Sequence, residues 1–288
     1  MNLLPWFFPK KNRFLQKFFF RAPHIIEIHQ WQNYPSSLLG RKVKVDVILP
    51  TVYYQQPIVH FPVLFLNDGQ DLPALKLIDT VEKLYKQKSI KPVIIVAIHA
   101  GDRIQEYGTA GQPDYKKRGI KAQAYTDFLF KELMISLRKR YRITTEADNM
   151  AIAGFSLGGL SAFDIAWKHS PQFGKVGVFS GSLWWRSEEF WPEDPDANRI
   201  AHVMVQTGTK KEGLKFWFQT GTADAAADRN NNGVIDAIDD TLHLIDLLEQ
   251  KGYEQGKDIE YLEVEGGEHN PRTWGKAMPH FLKWAFGK

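Results

Sequence analysis

Residues Met150–Gly159 read MAIAGFSLGG, an apolar run that ends in Gly154-Phe155-Ser156-Leu157-Gly158. A serine hydroxyl becomes a useful nucleophile only when a base takes its proton and a third group holds that base. The two glycines answer a steric demand. Where a strand turns sharply into a helix, flanking side chains would collide, and the serine between them is left exposed and strained. A chance Gly-Ser turn would show the same five residues without the apolar strand before it and the helical pattern after it. Both are present, so Ser156 is the candidate nucleophile. The helix behind it also points the positive end of its dipole at the site.

Such a serine has to be presented by a scaffold. Apolar runs predict strands at Ile25–Trp31, Lys42–Leu49, Val63–Leu66, Val93–Ile98, Met150–Phe155, Lys175–Phe179, Phe216–Gln219 and Ile259–Val264. The first two alternate, as in Val43, Val45, Val47 and Leu49. The later ones are short and nearly all apolar, as parallel strands covered on both faces are. Helical patterns fall at Ala74–Lys88, Lys121–Arg140, Leu160–His169, Asp239–Gln250 and Trp274–Phe286. Two antiparallel strands followed by β–α alternation predict an α/β fold. Its sheet would be doubly wound and mostly parallel, with about eight strands and helices on both faces. No repeat or low-complexity linker divides the chain, so residues 23–288 read as one domain behind a leader of residues 1–22.

In a fold built around a nucleophile turn of this kind, the chain order is Ser, then Asp or Glu, then His. There are nine histidines. Four precede Ser156, and His169, His202, His243 and His280 lie in or beside helical stretches. His269 follows the last strand and precedes the last helix, and is the candidate base. The acid should follow the preceding strand, where KFWFQTGTAD runs into Asp224. Asp228 is a rival four residues on, but it has another role to fill. The oxyanion of a tetrahedral intermediate needs backbone N–H donors. Leu157, next to the nucleophile, supplies one, and Gln70 in Asn67-Asp68-Gly69-Gln70-Asp71 supplies the other.

Residues 228–239 read DRNNNGVIDAID, with Asp228, Asn230, Asn232, Asp236 and Asp239 at loop positions one, three, five, nine and twelve. Gly233 stands at position six, Val234 can offer its carbonyl at seven, and a helix follows. This is the spacing of a calcium loop. The twelfth ligand is Asp rather than Glu, as in dockerins. The alternative is a solvated polar turn with Asp239 capping the helix. A structural calcium here would rigidify the segment that carries Asp224.

Net charge is +4 and no long Lys/Arg run appears, which argues against a nucleic-acid partner. There are no cysteines, so thiol nucleophiles and thiolate metal sites are excluded. Residues 1–22 combine Phe with basic residues but lack the layout of a signal peptide. They are too short and too charged to span a bilayer. They would lie on a membrane surface or pack their aromatics on the domain, with membrane association not favoured. The missing signal features point to the cytoplasm, whereas calcium is better supplied outside it. Oligomeric state is left open.

Taken in order, these motifs resemble the family of α/β-hydrolases that joins esterase D, enterochelin esterases and feruloyl esterase domains. The resemblance starts near Ser37. Leu38-Leu39-Gly40-Arg41, Asn67-Asp68-Gly69-Gln70-Asp71, Arg103-Ile104-Gln105-Glu106-Tyr107, Ser180–Trp185 and Gly267-Glu268-His269 with Trp274 carry it. It implies a serine esterase acting on a small-molecule ester, with no organic cofactor. The lack of cysteine and of a glutathione-site signature disfavours the thioester branch. Trp184, Trp185 and Tyr107 would line an aromatic acyl or sugar pocket, or else serve as core aromatics. Arg103 is expected to pair with Glu106, the alternative being an anionic substrate. Acyl transfer to an alcohol would use the same machinery. A calcium-dependent binding module with a vestigial site is the reading from another class.

Overall fold

The computed structural model describes residues 25–288, and the leader expected at residues 1–22 lies outside them. The strands are β1 (Ile26–Ser36), β2 (Arg41–Pro50), β3 (Val63–Asn67), β4 (Ile94–Ile98), β5 (Met150–Phe155), β6 (Lys175–Phe179), β7 (Lys215–Ala223) and β8 (Ile259–Glu268). The helices are α1 (Leu77–Lys86), α2 (Arg103–Glu106), α3 (Ala122–Asp127), α4 (Met134–Arg140), α5 (Leu157–Lys168), α6 (Ile200–Thr207), α7 (Asp236–Gln250) and α8 (Pro271–Phe286).

One eight-stranded sheet runs in the order β1-β2-β4-β3-β5-β6-β7-β8. β2 is antiparallel to both neighbours, and every pairing from β4 to β8 is parallel. Val43, Val45, Val47 and Leu49 are buried on one face of β2 with residues of α3 to α7. The opposite face of the sheet packs against α1 and α8. This is the doubly wound, mostly parallel layering expected from the strand runs.

The connection order reverses between β3 and β5, whose residues Leu66 and Ala153 lie side by side. A reversal of this kind opens a crevice beyond the carboxyl ends of the two strands. The 67–71 loop leaves β3 there, and Ser156 leaves β5.

Several elements differ in extent from the sequence expectation. β1 continues past Trp31 because a register shift between Trp31 and Tyr34 lets it resume pairing with β2. β8 reaches Glu268, again past an irregularity, and so carries the chain to His269. The long helix expected at Lys121–Arg140 is interrupted by a π-helical turn at Phe128–Leu133, which an apolar period cannot reveal. α2 and α6 lie outside the helical stretches expected from the sequence. α8 starts early because the Asn270 side chain accepts the Thr273 N–H and Pro271 stands in the first turn, where its missing donor costs nothing. Among the described residues no helix is long and apolar enough to cross a membrane.

Candidate active site

Ser156 adopts φ 53° and ψ −121°, a backbone conformation costly for a residue with a Cβ. Its neighbours explain why it persists. A Cβ on Gly154 would lie 2.2 Å from the Gly158 carbonyl oxygen, and one on Gly158 would lie 2.5 Å from Asp68 Oδ2. Both positions demand glycine. The Ser156 N–H donates to the Phe179 carbonyl at 2.8 Å, and its own carbonyl accepts from Ser182 N at 3.1 Å. Ser156 Oγ shares a hydrogen bond with Ser182 Oγ at 3.3 Å. Among the described residues it makes no side-chain bond to His269.

His269 and Asp224 meet at the ends of β8 and β7, with Nδ1 2.6 Å from Asp224 Oδ1. An ionised carboxylate only accepts, so Nδ1 carries the proton and Nε2 is left as the basic nitrogen. The Asp224 side chain is closed off from solvent and that of His269 is 42% exposed. Trp274 meets the imidazole edge-on at 5.3 Å and donates Nε1–H to Ser180 Oγ at 2.9 Å. Ser180 and Ser182 thus bond Trp274 and Ser156, a part they were not given from the sequence. Asp228 does not approach His269; its carboxylate accepts the N–H groups of Asn232 and Gly233.

The 67–71 loop is fastened to the nucleophile turn. Asn67 Nδ2 donates to the Gly158 carbonyl at 2.8 Å, and Asn67 Oδ1 accepts from Tyr125 OH at 2.6 Å. Asp68 is buried in a left-handed conformation. Its N–H donates to Tyr107 OH, and its carboxylate takes both arms of Arg103. Burial works against the Arg103 charge, but the hydrogen bond to Asp68 and the attraction of its carboxylate, with smaller help from Tyr107 and Asp71, together outweigh it and its pKa is raised. Neither the Leu157 nor the Gln70 N–H donates to another backbone group among the described residues.

The expected Arg103–Glu106 pair is not formed. Glu106 turns inward to a two-point bond with Arg41, leaving Arg103 free to reach Asp68. Tyr107 and Trp185, expected as pocket walls or core, are both fully buried and offer a substrate no surface. Tyr107 supports Asp68, and burial pushes its phenol pKa well up. Trp184 is exposed, two residues past Ser182. With Tyr115, Phe190, Arg186 and Arg229 it lines a cleft of about 280 Å³.

In the 228–239 loop, Gly233 takes φ 84° at the sharp turn. The amides of Asn230 and Asn232 lie against the two oxygens of Asp239 at 2.9 and 3.2 Å. Asp228 gathers the N–H groups of the same turn, so positions one, three, five and twelve converge. The oxygens of the two amides accept the N–H groups of Asn232 and Val234 at 3.2 and 2.8 Å, so turning either amide toward the common point would give up that bond. Asp236 departs from the set, because Arg229 holds it through its N–H at 2.9 Å and its guanidinium at 3.2 Å. Among the described residues no group of three or more His, Asp or Glu side chains gathers as a metal site. The loop's fit to calcium therefore rests on mixed Asp and Asn donors.

One mostly parallel eight-stranded sheet with helices packed on both faces is the layout of an α/β-hydrolase. Residues 36–285 match the model of the Esterase family (Putative esterase), and the chain belongs to that family of carboxylic ester hydrolases. Uncharacterized protein YbbA of Bacillus subtilis is 22% identical over 233 residues, covering 79% of this chain and 86% of its own. The diacylglycerol acyltransferase/mycolyltransferase Ag85A of Mycobacterium leprae is 23% identical over 86% of this chain and 80% of its own. Among solved structures, a ferulic acid esterase shares the fold with TM-score 0.66 and 18% identity, over 91% of this chain and 97% of the other. The enterobactin esterase FES from Shigella flexneri gives TM-score 0.69 and 19% identity, over 92% of this chain and 60% of the other.

Proposed function

We propose that the chain cleaves small carboxylic esters through an acyl-enzyme on Ser156. His269 is the base, Asp224 its orienting acid, and the N–H groups of Leu157 and Gln70 receive the oxyanion. The observation that carries this reading is the 2.6 Å bond between His269 and Asp224 on the strand edge that also presents Ser156. His269 Nε2 takes the Ser156 proton as Oγ attacks the ester carbonyl. The tetrahedral oxyanion collapses, the C–O bond to the alcohol breaks, and His269 returns its proton to the departing alkoxide. Water, deprotonated by the same imidazole, then releases the acid and restores Ser156. Ser156 must leave Ser182 to engage His269, and such catalytic bonds commonly tighten only with substrate bound. Trp184, exposed beside this edge, flanks the substrate.

Acyl transfer to an alcohol is the second reading, favoured by the relative named as an acyltransferase. The steps are the same with an alcohol in place of water. Calcium, when bound, would be held by Asp228, Asn230, Asn232, Asp239 and the Val234 carbonyl. It would supply rigidity and no part of the reaction.

Hydrolysis of a short-chain p-nitrophenyl ester by the wild type and Ser156→Ala tests the reading. The variant should lose at least about 10⁴-fold in kcat/KM. Product analysis with added alcohol separates the two acceptors. A variant as active as the wild type would remove Ser156 from the mechanism. A wild type inert to an ester panel and unlabelled by a fluorophosphonate would bring forward the binding-module reading.

A further inference from the structure

His99 stands outside the reacting groups, yet it and its neighbour are fastened to the 67–71 loop. It follows β4, and its N–H donates to the Lys44 carbonyl at 3.0 Å. Its Nε2 bonds Asp46 Oδ2 at 2.7 Å. Asp46, on β2, is 4% exposed. The other Asp46 oxygen is buried with no partner among the described residues. The imidazole is thus the carboxylate's anchor, as the carboxylate is the imidazole's.

The ring in turn occupies the side-chain space of Gly69. A Cβ there would lie 2.8 Å from His99 Cδ2 and 2.9 Å from the Ala97 carbonyl carbon. One residue beyond His99, the Ala100 N–H donates to Gln70 Oε1 at 3.1 Å, while Gln70 Nε2 donates to Asp68 at 2.8 Å. Gly69 and Gln70 are therefore held from behind by His99 and from the side by Ala100. Outward from the ring is a cleft of about 410 Å³, lined by Lys44, Asp46, Gln70 and His99 among others. That side offers the loop no packed support.

We propose that His99, anchored by Asp46, is a positioning residue that keeps the Gln70 N–H aimed at the oxyanion. This rests on the reading of Gln70 as an oxyanion donor. Only proline deletes a backbone N–H, and it also fixes φ and disturbs the loop, so the donor's support is the part that other substitutions can tune. Loss of such a donor costs about 10²–10³-fold in kcat, and misplacement by about 1 Å can cost about 10²-fold.

His99→Ala should lower kcat by about 10- to 100-fold with KM within about two-fold, the pattern of an interaction made in the transition state. Asp46→Ala should match it, and the double variant should lose little more, since the two act as one unit. Asp46→Asn, which keeps an acceptor for Nε2, should restore most of the rate. Amide hydrogen exchange over residues 67–72 should quicken in His99→Ala while far-ultraviolet circular dichroism is unchanged. Unchanged kcat, a rise confined to KM, or unchanged exchange over 67–72 would overturn the proposal. A wild type that hydrolyses no ester would defeat the functional reading instead, and the exchange comparison would still decide whether His99 supports the loop.

Discussion

Arg103 grips Asp68 with two arms of its guanidinium, Nε at 2.8 Å from Oδ1 and Nη2 at 3.0 Å from Oδ2, and the same Nη2 donates to the Phe155 carbonyl at 2.9 Å. One side chain therefore joins the loop after β3 to the last residue of β5, across the crevice where the sheet order reverses. Asp68 is fully buried with its charge, a placement that needs a partner. Its left-handed backbone lets the loop double back over Gly158 without a glycine at that position.

Arg103→Ala should lower both stability and turnover. The Arg103 side chain is 37% exposed and Asp68 keeps the Gln70 donor, so the stability cost should fall below that of a fully buried pair, at about 1–3 kcal/mol. Arg103→Lys should recover part of it, because an ammonium cannot span both carboxylate oxygens and the Phe155 carbonyl as a planar fork can. Urea denaturation and ester kinetics on the three proteins check this. Unchanged kcat in a less stable Arg103→Ala would mean that the grip holds the fold but not the oxyanion loop.

The sharp turn at Ser156 and the pairing of Asp224 with His269 were legible because each signal is local: a strand, a short motif, and its order in the chain. The strands were legible for the same reason, the first two from their alternation and the covered central ones as short apolar runs. The ion pairs were not. Arg103 and Glu106 lie one helical turn apart and read as partners, yet each reaches across the chain, to Asp68 and Arg41. Sequence spacing does not say which way a single-turn helix faces. Tyr107 and Trp185 read equally well as pocket or core, and burial alone decides between the two. Asp68 and Arg103 lie inside recognisable motifs, but the pairing between motifs is a tertiary fact. The same holds for Asp236, whose position in the loop suits calcium while Arg229 claims its carboxylate.

Calcium should stabilise the chelator-treated protein. Binding to the folded state alone adds about 2.7 kcal/mol at a free concentration 100 times Kd, visible as a rise in Tm. Asp228→Ala removes one converging carboxylate and should abolish the shift, whereas the midpoint in chelator should change little. Equilibrium dialysis with radioactive calcium checks stoichiometry independently. No uptake and no shift in Tm would leave the loop as a polar turn held by its Asn–Asp239 bonds.

The last prediction concerns pH and a histidine far from the chemistry. His202, on α6, is buried and donates Nε2–H to the Asp240 carbonyl at 2.8 Å, while Nδ1 has no partner among the described residues. Burial, and then the Arg199 charge, hold its pKa well below the ordinary 6.5. Burial also lowers His243 and His169. Below about pH 6.5 the unfolded chain binds a proton that the folded His202 refuses, so stability rises with pH through that region. The contribution is intact above the unfolded pKa and is lost as pH falls beneath it, with a slope of about 1.4 kcal/mol per pH unit for a side chain held neutral. His202→Gln keeps a donor for Asp240 but cannot titrate. Between pH 7.5 and 5.5 the wild type should therefore lose about 1.4 kcal/mol more than the variant, measured by urea denaturation at each pH. Carboxylates common to both proteins cancel in the comparison. Parallel pH curves would mean that His202 gains its proton as readily in the folded chain as in the unfolded one, and that Arg199 and burial do not hold it neutral.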